Sequence, residues 1–492
     1  MTISLQADRD FRARVAIDLG AQSCRVSILR WLDGVPTMEP IHRIPNDPIH
    51  EAGHLYWPFE LIMAGLEEGL TKAARRASEG IASIAVDGWA VDYVRLGGDR
   101  RALVDPFCYR DERTIVAKEM ADRIAESEWV FGHTGAQPLR INTVYQLIAD
   151  RIAGIAATAP WLNLPEYVLY RLGGRPVSEY TNATHTGLVD LRTGTWSHRL
   201  LGRLDLAIET CPEIVPSGTI IGKLSGPLAE LPAFRDTDLI VPACHDTASS
   251  IAGIPSPLDS DAYICCGTWS LVGTIIENPV TTREALKAGF TNQGAAGGGF
   301  CFHKNVNGLW LLKQCVETWS AKGRFWDLSD LIAQSAACDS FPGVVPVDAP
   351  ALLLDGDMPA LLNEQLSVLG CEQIENRPGN EPIFARVIFE SLASQYAVAL
   401  RNLEQILGRK FERVHVLGGG AQNQVLTRLT AQHTGLKVEI GNVESATVGN
   451  FAVQMASADA PGNLLNPISI RDWAQILSGT DKDSVKGLAL RK

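Results

Sequence analysis

Asp246 stands between a histidine and a run of small residues, in VPACHDTASSIAG over 241–253. Two readings of that carboxylate compete. Aspartate is a leading helix N-cap residue, and Thr247 to Ile251 would begin a helix directly after it. Alternatively, the small side chains of Thr-Ala-Ser-Ser leave room for a hydroxyl group to approach, and the carboxylate accepts its proton as a general base. One residue can do both, and the stretch alone does not separate them. Asp18 is the second carboxylate of interest. It follows an apolar strand, two residues before Gly20, and a carboxylate at a strand end near bound phosphates suits Mg2+, directly or through water. A turn-forming aspartate is the plainer reading. Arg25, seven positions on, can pair with phosphate or with Asp18 itself.

Phosphate chemistry needs a cradle of amides, and the common ones are absent. No segment supplies G-x-x-x-x-G-K-[ST]. Gly418-Gly419-Gly420-Ala421-Gln422-Asn423 has the first two glycines of a dinucleotide fingerprint, but Asn423 stands where the third belongs. Two hairpin turns remain, one through Gly20 and one at Gly267-Thr268 after Cys265-Cys266. Their exposed amides can hold phosphate oxygens. The strand–triglycine–helix junction at 413–435 can take a flat base or ribose. Each alone reads equally well as a tight turn; the three in this order point to a nucleotide.

These residues need elements to hold them. RVAIDLGAQSCRVSILR (14–30) runs apolar, polar with Gly20, then apolar, the pattern of a β-hairpin. DAYICCGTWSLVGTII (261–276) repeats it, which suggests a duplication with one hairpin per half. FELIMAGLEEGLTKAARRA has apolar residues at 59, 62, 63, 66 and 70, one helix face. IASIAVDGWAVDYVRL reads as an extended strand. A helix is expected from Pro382 to a stop at Gly408, then a strand RVHVL, the GGGAQN loop and the helix QVLTRLTAQHTG. The expectation is an α/β chain of two domains, breaking somewhere in 245–260 and divided as 1–250 and 251–492.

Composition narrows the class. At 492 residues the chain is too long for one ordinary domain. The formal net charge of −12 argues against a nucleic-acid partner, which would need clustered Lys and Arg. No uninterrupted apolar run approaches the ~18 residues of a membrane span, and MTISLQADRDFRAR does not read as a secretory signal. Ten cysteines without a Cys-x-x-Cys pair read as reduced thiols of a cytoplasmic protein, and no His-Glu-x-x-His appears. Nothing in the sequence addresses oligomeric state.

From about residue 14 to residue 456 the chain resembles the FGGY family of carbohydrate kinases, and within it the rhamnulokinase group. IDLGAQSCRVSI and GTWSLVG are similar to the family's two phosphate hairpins, and CHDTASS to its catalytic motif. HRIPN, GHLYW, VDGWAVDY, YRDERT, INTVYQL, NVNGLWLL, GGGAQN and ESATVGN resemble further stretches in order. The resemblance implies an actin-like ATPase fold, two ribonuclease-H-like domains with the active-site cleft between them. It implies ATP and Mg2+ as cofactors and a small sugar as partner, most readily the ketose L-rhamnulose phosphorylated at its 1-hydroxyl. L-fuculose, L-xylulose or a polyol are the alternatives, and a non-catalytic actin-like ATP binder or sugar sensor is a further one. Carried over by position, Asp246 is the base, and His245, Thr247 and Asn305 contact sugar. Trp57, Asp87, Trp89 and Asp92 are further sugar-side candidates. Ala21, Gln22, Ser23, Cys24, Arg25, Gly267 and Thr268 line the phosphates, Asp18 organises the metal, and Lys313, Gly419, Gly420 and Asn423 lie on the nucleotide side.

The sequence also departs from the family pattern. Cys24 and Cys244 stand where glycine is usual, Lys313 replaces a glutamine, and Cys265-Cys266 replace Ser-Ser. Ala90 occupies a glycine position associated with sugar contact, and one added methyl is worth only ~1–3 kcal/mol of discrimination.

Overall fold

Each glycine-interrupted hairpin lies inside its own six-stranded sheet, away from both edges. The computed structural model of the chain describes residues 10–479 apart from 156, 259, 339, 354 and 355. The first sheet contains β1 (Ala13–Leu19), β2 (Ser23–Leu32), β3 (Val35–Pro45), β4 (Ile81–Gly88), β5 (Ile220–Lys223) and β6 (Asp238–Ile240), in the order β5-β6-β4-β1-β2-β3. The second contains β7 (Asp261–Cys266), β8 (Trp269–Ile276), β9 (Phe290–Gly294), β10 (Phe300–Asn307), β11 (Arg413–Leu417) and β12 (Lys437–Ile440), in the order β9-β10-β8-β7-β11-β12. In both, the first hairpin strand has its antiparallel return on one side and a parallel strand on the other. The repeat suggested by the two hairpins is thus a repeat of sheet topology.

Strand β1, ARVAIDL, is buried at all seven positions. That continuous burial follows from cover on both faces, as parallel neighbours require. On one side lies α1 (Phe59–Arg76), which turns Phe59, Ile62, Met63, Leu66 and Leu70 inward as its spacing predicts. Another helix reaching β1 comes from far along the chain. It is α6 (Ser445–Asp459), which packs on β1, on β4 and on α2 (Asp246–Ala252). Between them in sequence lie α3 (Trp310–Ala321), α4 (Glu381–Leu407) and α5 (Gln424–Thr434). Pro382 lies in the first turn of α4, and Gly408 closes it in the left-handed region at φ 65°.

Among the described residues, α4 is the one helix long and apolar enough to cross a membrane by length and composition. Phe384, Ile388, Leu392 and Leu403 along it are buried in the second core, so its apolar character is that of a core helix.

One expectation needs adjusting. The stretch from Ile81 is not a single strand to Leu96. β4 ends at Gly88, and Tyr93–Arg95 form a separate short strand. Between them Val91 takes φ 72°, a region that costs a β-branched residue ~1–3 kcal/mol. Its carbonyl accepts from Thr143 Oγ1 at 2.7 Å and Gln146 Nε2 at 3.3 Å, and these bonds hold the break in place. The break turns Trp89 and Ala90 toward the space between the sheets.

Candidate active site

A cavity of about 800 Å3 lies between the two hairpin turns and draws its walls from both halves of the chain. The turns nearly touch: Gln22 Nε2 donates to Thr268 Oγ1 at 3.3 Å. Gly20 makes the first turn possible, since a Cβ there would lie 2.5 Å from the Ser23 carbonyl oxygen. The second turn is fastened by the start of α3, where the Leu309 amide donates to the Gly267 carbonyl at 3.0 Å and the Trp310 amide to the Thr268 carbonyl at 3.3 Å.

Asp246 is the first residue of α2, but the capping position belongs to His245, whose side chain makes no cap bond. The carboxylate accepts from Thr247, whose hydroxyl lies 3.2 Å from Oδ1, and His245 Nε2 is 3.4 Å from the same oxygen. With 36% of its side chain accessible, one face opens to the cavity while protein crowds the other. Burial dominates and lifts its pKa to about 6, against the pull of the Thr247 bonds. Of the two readings of this residue, helix capping does not describe the structure.

Asp18 faces Arg25 across the hairpin, and Arg25 Nη2 donates to its Oδ2 at 2.6 Å. Burial raises the Asp18 pKa, Arg25 opposes the rise, and the charge of Asp246 adds to it. The other arm of Arg25 bridges to Glu444, just before α6. Asp87 lies beneath the cavity, wholly buried, and accepts from Asn450 Nδ2 at 2.6 Å. Burial, with the negative charge of Asp18 after it, pushes its pKa well up, and its Oδ1 has no partner. Arg25 thus pairs with Asp18 and Glu444, while Asp87 and Asp246 add their negative charges beside Asp18. That excess of negative charge, with a buried acceptor oxygen unused, fits a divalent cation. Among the described residues no three His, Cys, Asp or Glu side chains form a cage. The arrangement suits Mg2+, which keeps several waters and takes one or two carboxylates plus phosphate oxygens.

Most of the residues expected at the site line the cavity. Asp18, Ala21, Gln22, Ser23, Arg25, Trp57, Trp89, Ala90, His245, Thr247, Gly267, Thr268, Asn305, Lys313 and Gly419 all do. Five do not reach its wall. Cys24 points into the first core, because in a strand alternate side chains face opposite ways and Arg25 takes the open side. Asp92 is a buried hub: its Oδ2 accepts from the indoles of Trp57 at 2.6 Å and Trp89 at 3.0 Å, whose rings lie 4.6 Å apart. Asn423 caps α5 through the amides of Val425 and Leu426. Gly420 lies behind Gly419, where a Cβ would come 2.2 Å from Cys266 Sγ. Asp87 is the fifth, held below the cavity floor by Asn450.

Some wall and support residues escaped the sequence reading. Glu444 and Asn450 belong to a recognised motif, ESATVGN, yet nothing local shows that they reach Arg25 and Asp87 some 419 and 363 positions away. Arg110 lies over the Trp310 ring, 5.9 Å from its centroid, and joins the two halves across the cavity. All ten cysteines are free of disulfide pairing in the structure.

Residues 13–253 match the N-terminal domain of the FGGY family of carbohydrate kinases, and residues 262–458 match its C-terminal domain. A rhamnulokinase from Bacteroides thetaiotaomicron is 34% identical over 89% of this chain and 89% of its own length. A rhamnulokinase from Oceanobacillus iheyensis is 32% identical over 91% of this chain and 94% of its own length. The ligand-bound xylulose kinase of Lactobacillus acidophilus shares the fold with a TM-score of 0.74 at 17% identity, over 94% of this chain and 96% of that one. The two sheets are those of the actin-like ATPase fold, and the chain belongs to the FGGY family of carbohydrate kinases.

Proposed function

We propose that the protein transfers the γ-phosphoryl group of ATP to the 1-hydroxyl of L-rhamnulose, with Asp246 as general base. The observation that carries the reading is the uncapped, cavity-facing carboxylate of Asp246 on the wall shared with both glycine hairpins. The two rhamnulokinase relatives supply the choice of ketose. The chain divides at about residue 250 into a half bearing the first hairpin and a half bearing the second, and works in the cytoplasm.

As the sugar O1 attacks the γ-phosphorus, its proton passes to Asp246, the O1–P bond forms and the bond to the β-phosphate oxygen breaks. Amides at Ala21–Ser23 and at Thr268 hold the phosphates so that this geometry is met before reaction. The Gly267 amide is spent on the Trp269 carbonyl at 2.9 Å, and Arg25 lines the phosphates with its two arms on Asp18 and Glu444. Asp18 would hold Mg2+, with Asp87 behind it. When bound, the ion neutralises charge on the phosphate oxygens. Trp57, Trp89, Ala90, His245, Thr247 and Asn305 form the sugar side, and Gly419 and Lys313 the nucleotide side.

The direct test is ADP release over a panel of L-rhamnulose, L-fuculose, L-xylulose and polyols. The highest kcat/KM is expected for L-rhamnulose, with release near zero when no acceptor is present. Sugar-independent ATPase would instead mark a scaffold or sensor, and a clear preference for another ketose would reassign the acceptor.

The acid limb of the rate profile is a second test. Below about pH 6 Asp246 is protonated and cannot accept, so kcat rises with pH through that region and levels off above it. A midpoint near the ordinary aspartate value would show that burial does not tune this carboxylate.

A further inference from the structure

The peptide that carries Asp246 is gripped from two sides. On one, the Gly88 amide at the end of β4 donates to the Cys244 carbonyl at 2.9 Å. On the other lies Glu179, a wholly buried carboxylate. Its Oε2 accepts from the Cys244 amide at 2.9 Å, the Thr181 amide at 3.0 Å and the Thr181 hydroxyl at 2.5 Å. Its Oε1 accepts from Ser217 Oγ at 2.6 Å. Thr181 Oγ1 in turn accepts from the His245 amide at 3.1 Å. The two residues directly before Asp246 therefore have their backbone amides fixed by Glu179 and by the hydroxyl it orients.

Helix capping does not account for this. Glu179 does cap the short helix Tyr180–His185 through the Thr181 amide. A cap needs only that one bond, whereas the Cys244 amide is 65 positions away in sequence and belongs to no part of that helix. Support continues on both ends. Glu166, also buried, accepts from the Glu179 amide and from Asn182 Nδ2, each at 3.0 Å. At the end of the same helix the His185 ring meets the His245 ring edge-on, with centroids 4.7 Å apart.

We propose that Glu179 and Thr181 are positioning residues for the reaction, a bracket that sets where Asp246 points by fixing the Cys244 and His245 amides. The proposal rests on the reading of Asp246 as the base. A misplacement of about 1 Å in a reacting group can cost roughly 10²-fold in rate, so a bracket acting on this peptide shows in kcat rather than in nucleotide binding. A Glu179→Gln change keeps the shape but turns one acceptor end into a donor facing other donors. Thr181→Val removes only the hydroxyl.

The experiment measures kcat, KM for ATP and folding by circular dichroism, using ATP and the best ketose of the panel. E179Q is expected to lower kcat by about 10–100-fold and T181V by about tenfold, with KM for ATP within about twofold of the parent. T181S, which restores the hydroxyl, recovers most of the loss. In the Asp246→Asn background, T181V has no further effect, because there is no base left to aim. The bracket is refuted if folded T181V and E179Q turn over at the parental rate while D246N is slow. Equal loss from T181V in the parent and in D246N refutes it as well, since a general loosening acts in both. If E179Q does not fold, T181V and T181S decide alone. D246N at full rate removes the base assignment and the bracket together.

Discussion

Replacing Asp246 with asparagine is expected to lower turnover by roughly 10²–10⁴-fold while leaving ATP affinity unchanged, the range for loss of a general base. Asparagine matches the size of aspartate and can still accept from Thr247, so the substitution changes little but the basicity. The change keeps the exposed face and removes the titrating group, whose pKa is about 6. In the proposed reading the nucleotide is held by other groups, the hairpin amides and the phosphate-lining Arg25, whose own bonds run to Asp18 and Glu444 and not to Asp246. Single-turnover kinetics with bound ATP separate the two effects. A second consequence has a definite sign. Burial disfavours the charged form of Asp246, so the ionised side chain costs stability as pH rises from the ordinary aspartate range through about 6. At pH 8 the ligand-free D246N protein should melt higher than the parent, a familiar exchange of stability for function. Full activity in D246N would end the proposed mechanism, and an unchanged melting temperature would show that the site does not strain this carboxylate.

Gly449→Ala is expected to damage both stability and activity, although alanine is the better helix former by about 1 kcal/mol. A Cβ on Gly449 would lie 1.7 Å from the Ser249 carbonyl oxygen, 2.7 Å from its carbon and 2.9 Å from the Gly253 amide. These are backbone atoms of α2 and the turn after it, so no side-chain rotation can relieve the contact. The helices must separate. Overpacking of this kind costs ~1–3 kcal/mol and occasionally more, and contact with backbone places Gly449→Ala at the upper end, about 3 kcal/mol. The clash thus outweighs the helix-propensity gain. Displacement of α6 also carries away Glu444 and Asn450, the partners of Arg25 and Asp87, and it moves the helix that begins at Asp246. Denaturant titration gives the stability term, with Gly132→Ala as the comparison. Gly132 lies inside the helix Ser127–Thr134 with nothing within 4 Å of its Cβ position, so its replacement should be neutral or stabilising. Equal midpoints for the two variants would contradict the close approach of α2 and α6.

Much of this protein is written locally. An apolar run broken by Gly20 and another broken by Gly267 determine two hairpins, because period-two patterning and a glycine at the turn act over a few residues. The helix at 59–76 follows in the same way from apolar spacing, and the long helix to Leu407 from a proline at its start and a glycine at its stop. The chemistry-bearing types are equally visible: a carboxylate after a histidine, another at a strand end, glycines where amides must be bare. The ambiguity of Asp246 was not resolvable at that level, since a capping aspartate and a free one share the same neighbours in sequence. Tertiary structure gives the capping place to His245 and opens a cavity in front of Asp246, and the proposal of a general base rests on that placement. The same holds for Cys24 and Arg25, adjacent residues that strand alternation sends to opposite sides, and for Asn423, whose side-chain oxygen caps α5. The long-range partnerships, Arg25 with Glu444, Asp87 with Asn450 and Cys244 with Glu179, carry no sequence signal of their own. Hydrogen bonding and desolvation depend on which atoms meet in space, and a linear pattern records only which residues are neighbours along the chain.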